Sequence, residues 1–225
     1  MSNPVSVWFR GLLKGNPELY RQIYDWNLHP HRWARPDWLV SVPGAEAALV
    51  SLLERTSEGR ARLGTHFRES LGLSDTFWDF EPRQRRLALL PANTLAQLAR
   101  FAGATYYWNS LTRVVSQQRH QALTARIGAD AHAFAMRRGR SLLSTTGLTP
   151  PGVSGRPDPD RMHAAGWTVI ASCLSGEPAA LLTRTRFKFP RGLTLEENLP
   201  PAQAWHLLQP ILSETLPTSD RPCFA

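Results

Sequence analysis

Lysine is nearly missing from this chain: of 26 basic residues only Lys14 and Lys188 are lysines, the rest being arginine. Codon bias accounts for such a skew about as well as function does. Cysteine is scarce as well. Cys173 and Cys223 are the only two, which excludes a disulfide framework and fits a reducing cytoplasm. No apolar run approaches the roughly 20 residues needed to span a bilayer. Pro4 and Arg10 interrupt the N-terminal stretch before a hydrophobic segment forms, which argues against a signal peptide. No phosphate-binding glycine loop, dinucleotide fingerprint, nucleophile elbow, C-x-x-C or H-E-x-x-H occurs. The expectation is a protein that is not an enzyme, with no cofactor, no metal and no small-molecule substrate.

What is present is helical periodicity. Over 225 residues, with 42% apolar composition and a mean hydropathy of −0.30, the chain can bury a real core as a soluble globular protein. The longest patterned stretch runs from Leu90 to Arg140 and reads as consecutive amphipathic helices. Asn93 is the expected N-cap of the first, whose apolar positions continue to Val114-Val115. The second spans Gln117 to Ile127 and stops at Gly128. The third starts at a capping Asp130 and ends at Arg137-Arg138, with Gly139 beyond. Further helices are expected over residues 4–26 with a turn at Asn16-Pro17, over Ala45–Arg55, Gly59–Leu71, Met162–Leu174 and Pro201–Thr215. Prolines make residues 27–43 an ordered loop with short turns. Residues 145–159 read as the clearest surface loop. The fold class is therefore all-α: an irregular multi-helix globular domain over residues 1–225, with proline-rich loops and at most a short strand at Thr185–Phe189.

Few residues suggest chemistry. His29 and His31 are the one tight histidine pair, and a metal would need two more ligands from elsewhere. Asp158, Asp160 and His163 sit beside prolines, where a turn with an N-cap aspartate is the better reading. Cys173 lies in an apolar helix as an inert thiol, and Cys223 near the tail is open to exposure. The net charge of +8 is spread over pairs such as Arg60/Arg62, Arg85-Arg86, Arg137-Arg138 and Arg184/Arg186. Each pair alone reads as solvated surface. Together they admit an acidic partner, and a basic helical nucleic-acid-binding protein is the alternative, although such proteins more often gather charge into a stripe.

Tryptophan carries the opposite signal. Eight occur, and Trp26, Trp33, Trp38 and Trp78 fall outside clear helical core positions. Covering helix ends explains each one singly. In the W-A-R-P-D-W cluster, however, proline constrains a loop on which Trp33, Arg35 and Trp38 can form a partner-binding patch.

The C-terminal half adds a pattern of segments. The tryptophan helix HAAGWTVIASCL is followed by Ala179–Leu182 and then the basic–apolar alternation from Arg184 to Pro190. A last helix carries Trp205, Leu208, Ile211 and Leu212, before Pro217, Cys223 and Phe224. With the leucine–proline start at Leu90-Pro91 and the R-x-[KR]-[FL]-P-like ending at Arg186–Pro190, this order resembles the SctK family of type III secretion systems, whose members include YscK, PscK, MxiK and OrgA. The resemblance covers residues 90–225, with the N-terminal third matching less clearly. It implies a cytoplasmic adaptor of the injectisome sorting platform, peripheral at the inner membrane. Its implied partners are the cytoplasmic domain of the ring protein SctD and the pod protein SctQ.

Overall fold

Prolines begin the first four helices of this chain. In the computed structural model, which describes residues 4–149, 158–195 and 199–224, α1 covers Pro4–Gly15, α2 Pro17–Leu28, α3 Pro30–Trp33 and α4 Pro36–Leu39. A proline at the first helical position lacks only an N–H that would go unpaired there, and its fixed φ suits the first turn. The segment expected as a loop at 27–43 is thus two single helical turns, each led by its proline. Asn16 caps α2 by accepting from the Leu19 N–H at 3.0 Å. Thr56 does the same for α6.

The remaining helices are α5 Ala47–Leu53, α6 Ser57–Ser70, α7 Ala92–Tyr106, α8 Trp108–Leu111, α9 Gln117–Ile127, α10 Ala129–Thr146, α11 Pro159–Cys173, α12 Ala179–Arg186 and α13 Pro201–Thr215. Two 3₁₀ segments, Arg83–Leu89 and Arg221–Phe224, complete the set. No strand occurs among the described residues, and the all-α class holds.

Several boundaries differ from expectation for local reasons. Asn93 lies inside α7, which opens one residue earlier, so it is not the cap. Residues 112–115 leave the helix, and Val115 is 96% exposed. Gly139 does not end α10: a Cβ there would lie 2.7 Å from the Trp108 ring, so the glycine makes room for an indole. The stop falls at Gly147, whose left-handed φ of 65° closes the helix. Thr145 and Thr146 are therefore helical, while residues 150–157 of the expected loop lie outside the described residues. Thr185–Phe189 is the end of α12 and a following turn rather than a strand.

The chain forms two compact units, each assembled from separated segments. The first comprises Met1–Ala92, Gly176–Gly192 and Pro217–Ala225. Its core includes Leu19, Ile23, Trp26, Phe67, Phe80, Leu87 and Leu90, all but excluded from solvent. The second comprises Asn93–Ser175 and Leu193–Leu216. There α11 and α13 pack along one another around Trp167, Ile170, Leu208 and Ile211. Backbones cross closely: a Cβ on Gly166 would stand 1.8 Å from the Ala99 carbonyl oxygen, and one on Gly103 1.9 Å from that of Met162.

Candidate functional site

Two segments that the sequence marked separately meet in the first unit: the W-A-R-P-D-W turn-helices and the Arg184–Pro190 alternation. Backbone joins them first. The Arg35 N–H donates to the Phe187 carbonyl at 2.9 Å. The Trp38 indole N–H donates to the Phe189 carbonyl at 2.8 Å, and its ring meets Phe187 edge-on at 5.2 Å. The short α4 turn places Asp37 beside them. Its carboxylate accepts from Arg35 Nε at 3.1 Å and from the Arg191 backbone N–H at 3.1 Å. Burial alone would raise the Asp37 pKa, but those two donors and the Arg35 charge outweigh it and hold the carboxyl below its ordinary value.

Beneath this surface lie cations where the sequence gives no warning of them. Arg184, on α12, is fully buried. It donates to the carbonyls of Asp75 at 2.7 Å, Leu73 at 3.1 Å and Asn27 at 3.2 Å, with its guanidinium 5.4 Å from the Trp26 ring centre. Lys188 is equally buried. Its Nζ donates to the Leu90 carbonyl at 2.7 Å and sits 5.4 Å from the centre of the Trp33 ring. Burial lowers its pKa to about 7, with Cys223 and Asp220 opposing. Arg86 donates to the carbonyls of Phe80 at 2.9 Å and Cys223 at 3.1 Å. Arg86 and Arg184 are thus internal staples between segments distant in sequence, and the solvated-surface reading of their pairs is corrected. Cys223 is corrected likewise: it is buried, and its thiol donates to Gln22 at 2.7 Å. Cys173 is buried too, and desolvation pushes its thiol pKa well above the ordinary value.

The three residues singled out in the sequence therefore come together but serve differently. Trp33 stacks on Trp26 at 5.8 Å and roofs Lys188, half-buried. Arg35 and Trp38 stand at the surface edge. Trp38 carries two guanidiniums over its ring, Arg186 at 5.7 Å and Arg191 at 5.6 Å, both exposed. Asp37, Arg186 and Arg191 are participants that reading the segments separately missed. For Arg186 the R-T-R-F-K-F-P alternation was the signal, since residues two apart in a helical turn face nearly opposite ways. Asp158 caps α11 by accepting from Asp160 N–H at 2.9 Å, as anticipated. His29 and His31 lie with ring centres 5.8 Å apart. His31 pairs with Glu54, and among the described residues no group of three or more histidine, cysteine or acidic side chains could hold a metal.

A family model described as YOP proteins translocation protein K (YscK) matches residues 23–216. The chain is a type III secretion protein, and it belongs to the YscK family. No curated protein and no solved structure gives a match. The matched span reaches well N-terminal of residue 90, taking in both halves of the site. It stops short of Pro217, Cys223 and Phe224.

Proposed function

We propose that this protein is a non-enzymatic adaptor of the injectisome sorting platform, peripheral at the cytoplasmic face of the bacterial inner membrane. It joins the cytoplasmic domain of the ring protein SctD to the pod protein SctQ. Family membership over residues 23–216 carries the reading. The Trp38 surface supports it, since aromatic and arginine side chains together dominate protein-binding hot spots. The chain passes between its two units at residues 92–93, 175–176, 192–193 and 216–217, which supports treating residues 1–225 as one domain, because neither unit is a contiguous stretch.

The test is genetic and biochemical. Deleting the gene is expected to abolish type III export. The purified chain is expected to co-purify with SctQ and with the SctD cytoplasmic domain, and to bridge the two in one complex. Normal export from the deletion strain would overturn the reading.

A further inference from the structure

We propose that Arg35, Arg186 and Arg191, gathered around Trp38, dock an acidic segment of a protein partner, with its carboxylates taken by the guanidiniums. The proposal rests on the adaptor reading only for the partner's identity. The chemistry is read from the site itself.

Charge balance comes first. Three guanidiniums converge from three places in the chain: the α3–α4 joint, the last residue of α12 and the turn at 191. One carboxylate, Asp37, stands among them, and it is already engaged by Arg35 Nε and the Arg191 backbone N–H. Among the described residues Arg186 has no ion-pair partner, and beyond its place over Trp38 the Arg191 side chain hydrogen-bonds only to the Asp37 carbonyl, at 3.4 Å. Among the described residues the cluster, three guanidiniums against one carboxylate, is left two charges positive. Clustered guanidiniums of this kind raise a local positive potential that favours an anionic partner.

Geometry then favours carboxylates. A guanidinium lying over an indole is held by the ring quadrupole, which restricts its rotation while leaving its in-plane N–H donors at the edge. Those donors form the fork that matches a planar carboxylate in bidentate fashion. The platform is itself fixed, because Trp38 is pinned by Phe189 and Phe187. Little ordering entropy therefore remains to oppose binding. Asp37, standing among the guanidiniums, disfavours a continuous phosphate backbone at close range.

The experiment measures binding of a fluorescent oligoglutamate peptide to the full chain at low ionic strength. A single-stranded DNA oligonucleotide and phosphatidylserine vesicles serve as rival probes. Arg186→Gln with Arg191→Gln is compared with Arg137→Gln plus Arg140→Gln, which removes the same charge from exposed positions on α10. The site variant is expected to weaken peptide binding at least tenfold with an unchanged melting temperature, and the α10 variant less than twofold. Equal losses from both variants, or no loss from the site variant, would overturn the proposal. So would DNA or vesicles binding more tightly than the peptide through the same two arginines. Co-purification with SctD and SctQ separates the two readings. A complex indifferent to the site variant sinks the docking proposal alone, whereas site-dependent peptide binding with no such complex sinks the adaptor reading alone.

Discussion

Arg184 donates a hydrogen bond to the backbone carbonyl of Asn27, 157 residues earlier in the chain, at 3.2 Å. Asn27 in turn receives the Phe77 N–H at 2.8 Å and donates its side-chain amide to the Phe77 carbonyl at 2.7 Å. The irregular connector between α6 and the first 3₁₀ segment is thus held from both sides by polar side chains that see no water.

Arg184→Met is expected to destabilise the protein by about 3–5 kcal/mol, because the carbonyls of Asn27, Leu73 and Asp75 would lose their buried donor. Arg184→Lys should recover little of this, since a single ammonium cannot span the three acceptors that the planar fork reaches. Urea denaturation of both variants checks the claim. Wild-type stability in the methionine variant would show that the fork is dispensable.

Stability should rise with pH from about 7 towards 9. Lys188 has its folded pKa lowered to about 7 from 10.5, so the unfolded chain binds more protons across that window and raising pH favours the fold. Above the ordinary thiol value of 9.0, Cys223, raised to about 11 in the fold, adds an opposite trend. Lys188→Met should flatten the slope between 7 and 9. Denaturation midpoints across that range in both proteins decide it.

Acid should also weaken the fold, through histidine. Burial lowers the pKa of His29, His31 and His132 below 6.5, although Asp25 opposes this at His29 and Glu54 at His31. Stability linked to these groups is complete above pH 6.5 and declines as pH falls through their folded values, because the unfolded chain protonates first. His132 has a buried Nε2 without a partner among the described residues and a neighbouring His120 ring at 4.5 Å. His132→Gln should therefore reduce the acid sensitivity. An unchanged profile would place the effect elsewhere.

Gly166→Ala should cost about 3 kcal/mol, at the upper end for overpacking, since the new methyl meets a backbone carbonyl that cannot turn aside. Gly176→Ala meets no atom within 4 Å, but its φ of +84° strains any side chain, so about 1 kcal/mol is expected there. A thermal melt of each variant separates a steric cost from a conformational one.

Much of the fold was legible because the signals were local. α9 and α13 begin and end where periodicity, glycine and proline place them. Gly139 misled, since a glycine that admits Trp108 looks the same in sequence as one that ends a helix. The site was legible in halves. W-A-R-P-D-W and the Arg184–Pro190 alternation each stood out, but the contact of Trp38 with Phe189 spans 151 positions and has no local trace. Buried cations were the least legible feature. Arg86 and Arg184 read as surface because charge normally stays in water, and only the carbonyls converging on them, as on Lys188, show otherwise.

Assembly of the first unit from Met1–Ala92, Gly176–Gly192 and Pro217–Ala225 bears on how the polypeptide matures on the ribosome. Synthesis proceeds at about 5–20 residues per second and ordinarily lets N-terminal parts fold first. Here the segment around Asn27 must wait for Arg184, made 157 positions later. Trp26 and Asn27 emerge long before Arg184, Trp33 before Lys188, and Gln22 before Cys223. The first segment of that unit therefore stays open, with apolar surface uncovered, until residues 176–192 have been made. Any nascent chain halted before codon 184 would carry an unfinished first unit into the cell.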